Sequence, residues 1–167
     1  MMTVVLGGAA SGKSKYAESL IPRSAAEPAI YIATAQGFDT EMKEKISDHK
    51  ASRGPHWKTR EHPLDVPEAL KETIHEKNVL LDCATLWLSN LLLAGADLEA
   101  RSKDLLSACR TFGGHLVVVS NETGMGIVPE TKLGRQFRNA QGRLNQDLAE
   151  AADKVVLVTA GLPMVLK

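Results

Sequence analysis

The segment from Gly7 to Ser14, with the sequence GGAASGKS, contains the residue types that hold the phosphates of a nucleotide. It fits the pattern GxxxxGK[ST], in which glycines let the chain curl so that consecutive backbone N–H groups point at a phosphate. Lys13 would reach the β- and γ-phosphates, and Ser14 would ligate Mg²⁺. The alternative is a glycine-rich turn with an accidental lysine, but the motif follows an apolar run and precedes a helical pattern, as a phosphate loop requires. The sequence therefore predicts a nucleoside triphosphate site formed by Gly7, Gly8, Ala9, Ala10, Ser11, Gly12, Lys13 and Ser14.

A second residue that acts on Mg²⁺ is expected at the end of a buried strand, and the run Val79–Asp82 ends in an acidic residue. Asp82 is the candidate acid that would act on Mg²⁺ directly or through a water molecule. The same residue precedes a helical pattern at 86–94, so it could instead cap that helix. The two roles are compatible, and both remain open from the sequence.

Three of the five histidines fall between residues 49 and 62. A predicted helix over 39–53 places His49 and Arg53 on the face that carries Met42 and Ile46, which points toward the sheet. An imidazole in that position could attack an α-phosphorus and hold a nucleotidyl group as a phosphoramidate. A histidine on an apolar face is more often a packed core residue, so His49 has two readings at this point.

These candidate groups need a scaffold, and the chain alternates short β-branched runs with helical patterns. Continuous apolar strands separated by helices predict an α/β fold with a mostly parallel sheet covered on both faces. Ligands of such sheets bind outside the carboxyl ends of the strands. The expected strands are 3–6, 29–32, 57–59, 79–82, 116–119, 155–158 and 164–166, and the expected helices are 14–23, 39–53, 66–76, 86–94, 97–112 and 132–152.

Length and charge narrow the class of protein. A chain of 167 residues is expected to form one domain, 1–167, and its 20 basic and 20 acidic residues give zero formal charge. That balance argues against a nucleic-acid partner or an anionic membrane surface. No apolar run reaches the roughly 20 residues that span a bilayer, and the N-terminal residues do not form a signal peptide. Two cysteines form no disulfide framework, so a cytoplasmic location is expected.

Three further features remain ambiguous. The stretch 120–129 follows a predicted buried strand, so it is either a site loop, for substrate or subunit contact, or a tight turn around a buried Met125. Arg135 and Arg138 could neutralise phosphate or could lie on a solvated helix face. Gly134 lowers the stability of the predicted helix over 132–152 by about 1 kcal/mol relative to alanine. It suggests that the start of this helix is loosely formed.

Several longer motifs carry a family resemblance. Besides the phosphate loop, they are YIATAQ at 31–36, HK at 49–50, DCATLWLSNLL at 82–92, NETGMGIVPE at 121–130, GRLNQ at 142–146 and AGLP at 160–163. With these motifs the chain resembles, over essentially its whole length, the bifunctional adenosylcobinamide kinase/adenosylcobinamide-phosphate guanylyltransferase family of cobalamin biosynthesis. The resemblance implies a RecA-like P-loop NTPase fold, usually assembled as a trimer.

The resemblance also implies two reactions. Adenosylcobinamide would be phosphorylated by ATP or GTP, and GTP would then guanylylate a histidine that passes GMP to adenosylcobinamide phosphate. His49 matches that histidine, and Lys13 remains the kinase lysine. The residues that match the GTP-contacting segments are Ala33, Thr34, Ala35, Lys50, Ala51, Ser52, Arg53, Glu61 and Asp82. Ser14 and Asp82 are the expected Mg²⁺ residues.

One departure from the family pattern is Ala10, where many relatives carry arginine, which removes one phosphate contact. Two other functions remain alternatives: a monofunctional small-molecule kinase using the same loop without a covalent step, and a nucleotide-dependent regulatory ATPase. A guanine-reading [NT]KxD sequence after a strand is missing, because Thr131-Lys132 is followed by Leu133-Gly134. A GTPase switch is therefore not expected.

Overall fold

The computed structural model describes residues 1–36 and 54–167. The predicted helix over 39–53 lies outside these residues, and so do His49, Lys50, Ala51, Ser52 and Arg53. The strands of the described part are β1 (Met2–Gly7), β2 (Ala29–Ala33), β3 (Trp57–Glu61), β4 (Asn78–Asp82), β5 (His115–Asn121), β6 (Lys154–Thr159) and β7 (Leu162–Val165). Its helices are α1 (Lys13–Ser19), α2 (Val66–Glu72), α3 (Ala84–Leu93), α4 (Leu98–Thr111) and α5 (Lys132–Ala151).

The strands form one sheet in the order β3-β2-β4-β5-β1-β6-β7. Every neighbouring pair is parallel except β6 and β7, which form an antiparallel hairpin at the edge. β5 lies between β1, which leads into the phosphate loop, and β4, which ends at Asp82. The parallel strands consequently place their carboxyl ends along one edge of the sheet, where ligands of such sheets bind.

Helices cover both faces of the sheet. One face is covered by α2, α3, α4 and α5, whose apolar side chains pack on residues such as Val4, Leu81 and Val118. The other face carries α1, which contributes Ala17 to a smaller cluster around Val5 and Tyr31. All six residues of β1 are buried, as expected for a strand covered on both faces.

Two helices end earlier than their patterns predict. α1 ends at Ser19, because the N–H groups of Leu20 and Ile21 turn back to the carbonyls of Ala17 and Glu18 just before Pro22. α2 ends at Glu72 rather than at residue 76, and the hydroxyl of Thr73 donates to the last-turn carbonyls of Ala69 and Leu70. Polar groups near the helix ends thus decide boundaries that apolar spacing does not fix.

The last predicted strand starts two residues earlier than expected. β7 already pairs with β6 at Leu162, so the turn consists of Ala160 and Gly161, both with positive φ. Pro163 is accommodated because β7 is an edge strand. The spacing of Leu133, Phe137, Ala140, Leu144 and Leu148 predicts an apolar stripe along α5, but Leu133 is exposed and the stripe packs on the core only from Phe137 onward.

Candidate functional site

The phosphate loop connects β1 to α1. Gly12 is the N-cap residue of α1 with a φ of 89°, and no side chain of the described residues caps the helix. The first N–H groups of α1 are therefore available to an anion, as are those of a phosphate-binding loop. The Nζ atom of Lys13 donates to the carbonyl of Gly8 at 3.1 Å, which folds the lysine back over its own loop.

Glycine is required at two positions of this loop. A Cβ atom on Gly7 would lie 2.6 Å from the carbonyl oxygen of Val158. One on Gly12 would lie 3.2 Å from the Cα atom of Gly161, and the N–H of Gly161 donates to the carbonyl of Ser11 at 2.8 Å. The loop is thus supported by the β6–β7 turn. Ala10 adopts a φ of 53°, a conformation that L residues seldom take and that lets the chain curl.

Asp82 ends β4 and is held by a tyrosine from the neighbouring strand. The hydroxyl of Tyr31 donates to Oδ2 of Asp82 at 2.6 Å, and the ring of Tyr31 packs edge-on against Trp57. The N-cap residue of α3 is Cys83 rather than Asp82, because the N–H of Leu86 donates to the Sγ atom of Cys83. The alternative role of Asp82 as the cap of this helix is therefore wrong, and its carboxylate remains directed at the site edge.

The thiol of Cys83 reports the charges around this carboxylate. Burial, followed by the negative charge of Asp82, raises the pKa of Cys83 to about 12, while the backbone N–H of Leu86 and the positive charge of Lys13 oppose the rise. The lysine of the phosphate loop and the acid of β4 thus act on the same buried group. At this pKa the cysteine is a neutral thiol, which can pack as a small apolar residue.

Thr34 ties the end of β2 to the end of β4. Its hydroxyl accepts from the N–H of Cys83 at 2.9 Å and donates to the Cys83 carbonyl at 2.8 Å. Its own N–H donates to the carbonyl of Asp82, and its carbonyl accepts from the side chain of Asn90. Thr34 is fully buried, so its side chain fixes the Asp82–Cys83 backbone.

The carboxyl edge brings most of the described candidate residues together. Ala33 is paired in register with Glu61 on one side and with Asp82 on the other. Asn121 is paired with Gly7, and the N–H of Glu122 donates to the Gly7 carbonyl at 3.0 Å. Ala35 follows Thr34 at the end of β2. Whether these residues contact a nucleotide remains a prediction, as does the contact by Lys50–Arg53.

A buried polar network anchors the loop that follows β5. The hydroxyl of Ser120 donates to Oδ1 of Asn145 at 2.7 Å, and the amide of Gln141 donates to both groups. The amide of Asn145 also donates to the carbonyl of Asn121, and the hydroxyl of Thr85 accepts from the Asn121 N–H. These buried side-chain hydrogen bonds between α5 and β5 fix the orientation of the helix on the strand.

Beyond this anchor, the loop exposes apolar side chains. Met125 is 82% exposed and Ile127 is 97% exposed, so the alternative of a tight turn around a buried Met125 is wrong. The guanidinium of Arg135 donates to the carbonyls of Pro129 and Glu130, which closes the loop onto the start of α5. Of the two alternatives for Arg135, the structure shows an exposed side chain, whose guanidinium is bonded to the loop.

The described residues fit a magnesium–nucleotide complex. Asp82 and Ser14 offer oxygen atoms, which Mg²⁺ prefers, and Oδ2 of Asp82 is already fixed by Tyr31. Within residues 1–36 and 54–167, no three His, Cys, Asp or Glu side chains cluster into a protein-only metal site. A site with two protein oxygens, from Asp82 and Ser14, suits Mg²⁺ because that ion commonly binds through one or two protein oxygens together with substrate phosphates.

A mostly parallel sheet with this phosphate loop, and with a strand inserted between the loop strand and the acidic strand, defines a RecA-like P-loop nucleotide-binding protein. Residues 3–166 match the family described as cobinamide kinase / cobinamide phosphate guanyltransferase. The chain belongs to this family, and the resemblance of its motifs is confirmed. The matched residues cover nearly the whole sequence.

Curated relatives agree with this assignment. The chain is 43% identical to the bifunctional adenosylcobalamin biosynthesis protein CobP of Pseudomonas aeruginosa over 170 residues, covering 100% of this chain and 98% of the relative. It is 40% identical to the bifunctional adenosylcobalamin biosynthesis protein CobU of Escherichia coli over 183 residues, covering 100% of both chains. The protein is thus a transferase of the family that these enzymes represent.

Two solved structures share the fold. The flagellar accessory protein FlaH of Methanocaldococcus jannaschii has a TM-score of 0.56 at 14% identity, with coverage of 99% of this chain and 77% of FlaH. The P4 protein of bacteriophage phi6, in complex with ADP, has a TM-score of 0.53 at 14% identity, and the match covers 97% of this chain but 52% of P4. At this identity the likeness shows the fold alone, and it confirms the predicted fold class.

Sequence reasoning did not single out Tyr31 or the network around Ser120. Tyr31 lies 51 residues before Asp82, and only its place in an apolar strand was visible. A polar atom in the middle of a buried strand was the available signal, because a buried hydroxyl needs a partner.

None of the helices in the described ranges combines the length and apolarity needed to cross a membrane.

Proposed function

We propose that this protein catalyses two successive transfers to adenosylcobinamide. In the first, the hydroxyl of the aminopropanol arm attacks the γ-phosphorus of ATP or GTP, and the nucleoside diphosphate leaves. In the second, a ring nitrogen of His49 attacks the α-phosphorus of GTP and pyrophosphate leaves. A phosphate oxygen of adenosylcobinamide phosphate then attacks the bound phosphorus, which gives adenosylcobinamide-GDP and frees His49.

The observation that carries the proposal is the pairing of an uncapped phosphate loop with Asp82 on one edge of the sheet. The loop N–H groups and Lys13 would bind the phosphates and stabilise charge that develops on the transferred group. Lys13 would exchange its bond to the Gly8 carbonyl for the phosphates. Mg²⁺, when bound, would supply additional neutralisation, and Ser14 and Asp82 would hold it.

The remaining nucleotide contacts follow from the same proposal. Ala33 pairs with Asp82 of β4 on one side and with Glu61 of β3 on the other, and Thr34 and Ala35 follow the end of β2. Because Thr34 is committed to Cys83, we expect nucleotide contacts in this segment to come from Ala33, Ala35 and the backbone. Lys50 to Arg53 would add positive charge beside His49. We also infer one domain, a cytoplasmic location and a trimeric assembly.

The covalent step is tested with α-labelled GTP and Mg²⁺ in the absence of a corrinoid. We expect the denatured protein to retain a label that is stable to base and labile to acid, the behaviour of a phosphoramidate. His49→Ala abolishes the label, whereas His75→Ala, at an exposed position after α2, leaves it unchanged. An unlabelled wild-type protein, or a labelled His49→Ala protein, would contradict the guanylylation and favour the monofunctional kinase.

The kinase step is tested with adenosylcobinamide and either triphosphate. Lys13→Ala is expected to lower the rate of phosphorylation by about a hundredfold or more, because the substitution removes a positive charge that stabilises the transferred phosphoryl group. Lys15→Ala removes the same charge from an exposed position two residues further along α1 and is the matched control. Near-normal turnover in Lys13→Ala would remove the phosphate loop from the kinase reaction.

A further inference from the structure

A second cationic cavity lies on the flank of α5. It has a volume of about 360 Å³ and is lined by Gly124, Arg138, Asn139, Gly142, Arg143 and Gln146. Its lining includes two arginines, an asparagine and a glutamine but no acidic residue; Asn139, Arg143 and Gln146 also line the larger neighbouring cavity, where Asp97, Glu99 and Asp147 lie. Its lining is therefore positive in a chain whose formal charge is zero.

One nitrogen of Arg138 is buried without a partner. Its Nη1 atom is inaccessible to solvent and has no hydrogen-bond partner in the part of the chain that the structure describes, although the residue as a whole is only partly buried. Two other arginines are paired: Arg101 contacts Glu68, and Arg135 donates to two loop carbonyls. Arg143 affects the pKa of Glu99 but forms no ion pair with it. Since burying an unpaired cationic nitrogen is unfavourable, an anion bound beside Arg138 would be stabilised by its charge.

The cavity is connected to the carboxyl edge of the sheet. Gln141 and Asn145 fix α5 at the level of Ser120 and Asn121, and Asn121 pairs with Gly7. Arg138 lies one turn before Gln141, nearer the start of α5, and therefore lies beyond the end of β5. The cavity thus borders the loop after β5, whereas the phosphate loop leads to α1 on the opposite face of the sheet.

We propose that Arg138 and Arg143 bind the phosphate monoester of the acceptor in the guanylyl transfer. This inference rests on the proposed function. Arginine suits the task because its planar donors match a phosphate dianion in a bidentate manner. The amides of Asn139 and Gln146 can donate to the same ester. A volume of about 360 Å³ accommodates the phosphate and its short alcohol arm, while a corrin ring remains outside.

A small probe tests the site directly. The ligand is 1-amino-2-propanol O-phosphate, titrated calorimetrically into protein whose phosphate loop is saturated with Mg²⁺ and GDP. We expect the phosphorylated probe to bind, more weakly as salt concentration rises, and unphosphorylated 1-amino-2-propanol not to bind. Failure of the wild-type protein to bind the phosphorylated probe would overturn the inference.

Substitutions assign the binding to the two arginines. Arg138→Gln and Arg143→Gln are each expected to raise the dissociation constant about tenfold, because a charge-assisted hydrogen bond is lost. Arg138→Lys keeps the charge but not the planar donors, so its dissociation constant should lie between those of the Gln variants and that of the wild type. Arg110→Gln removes one charge from the exposed end of α4 and leaves binding unchanged. Equal affinity in the wild type and both Gln variants, with only the melting temperature lowered, would make Arg138 a structural residue and refute the proposal.

A kinetic readout separates this inference from the two-step reaction itself. In the arginine variants, the labelling of the protein by α-labelled GTP should proceed as in the wild type, while KM for adenosylcobinamide phosphate rises about tenfold. Loss of labelling in the wild type would refute the guanylylation, although the probe titration would still test the anion site. Unchanged KM in both variants would contradict the assignment of the acceptor phosphate to this cavity.

Discussion

At the scale of single residues, Tyr31 determines how Asp82 faces the candidate site. Its ring is buried on the α1 face of the sheet, and its hydroxyl donates to one carboxylate oxygen. Within the described residues, no hydrogen bond to the other oxygen is seen. The bond from the phenol orients the carboxylate without adding charge, so Tyr31 positions Asp82.

We expect Tyr31→Phe to lower the free energy of unfolding by about 1–2 kcal/mol, because a hydrogen bond to a charged acceptor is lost. Urea titration followed by circular dichroism measures the change. Tyr16→Phe is the matched control, since Tyr16 is the other tyrosine of the chain, is partly exposed on α1, and has no side-chain bond in the described residues. A loss of equal size in both variants would show that the bond to Asp82 is not the cause.

His115, at the start of β5, makes stability depend on pH. Burial lowers the pKa of its imidazole below the usual 6.5, and the nearby ammonium of Met1 lowers it further. In the described part of the chain, its Nε2 atom is buried without a partner. Because the unfolded chain binds the proton more readily, stability falls as the pH drops below about 6.5 toward the folded pKa.

Replacement by glutamine removes this titration. We expect the midpoint of urea unfolding to fall less between pH 7 and pH 5 for His115→Gln than for the wild-type protein. His75→Gln removes an exposed histidine and should follow the wild-type curve. Parallel curves for the wild type and His115→Gln would show that His115 does not contribute to acid sensitivity.

At the scale of elements, the start of α5 explains a glycine that helix propensity disfavours. A Cβ atom on Gly134 would lie 2.8 Å from the Cβ atom of Pro129 and 3.0 Å from the hydroxyl of Thr131. The N–H of Gly134 donates to that hydroxyl, which caps the helix. The prediction of a loosely formed helix start is therefore wrong: the glycine allows the preceding loop to pack closely.

Two alanine substitutions on the same helix should have opposite effects. Gly134→Ala is expected to lower the free energy of unfolding by about 1 kcal/mol or more, because overpacking outweighs propensity. Gly142→Ala should raise it by about 1 kcal/mol, because its added Cβ atom meets nothing within 4 Å. Thermal unfolding measures both. Stabilisation by Gly134→Ala would mean that the loop can move away from Pro129 at little cost.

Element types followed from local patterns, whereas boundaries depended on polar details. The apolar spacing of Phe137, Ala140, Leu144 and Leu148 predicted α5, whose apolar face packs on the sheet as expected. The same spacing placed Leu133 in the core, and the loop around Pro129 leaves it exposed. The end of α1 was set by turns before Pro22, which hydrophobic periodicity does not encode.

At the scale of the whole molecule, the loop after β5 exposes three apolar side chains that are close together in sequence. Met125, Ile127 and Val128 are 82%, 97% and 58% exposed. Adjacent apolar groups on a monomer are unfavourable in water, and larger patches of this kind mark interaction surfaces. The trimer implied by the family resemblance would cover such a surface.

Light scattering after size exclusion tests that expectation. We expect the wild-type protein to have the mass of three chains and Ile127→Asp to shift toward one chain with unchanged secondary structure, because burying an unpaired carboxylate is unfavourable. Leu93→Asp places the same charge at another residue, 64% exposed, at the end of α3, and should leave the mass unchanged. A wild-type monomer would contradict the trimer.

The sequence by itself determined the phosphate loop, the element types, the fold class and the family, because each rests on local spacing or on motifs contiguous in the chain. It also located Asp82 at a strand end. Only the tertiary structure decided that β5 lies between β1 and β4, that Tyr31 holds Asp82, and that the Nη1 atom of Arg138 is buried without a partner among the described residues. These facts depend on pairings between residues far apart in sequence. The free energy of such contacts comes from packing and desolvation in the folded core, and no local pattern records it.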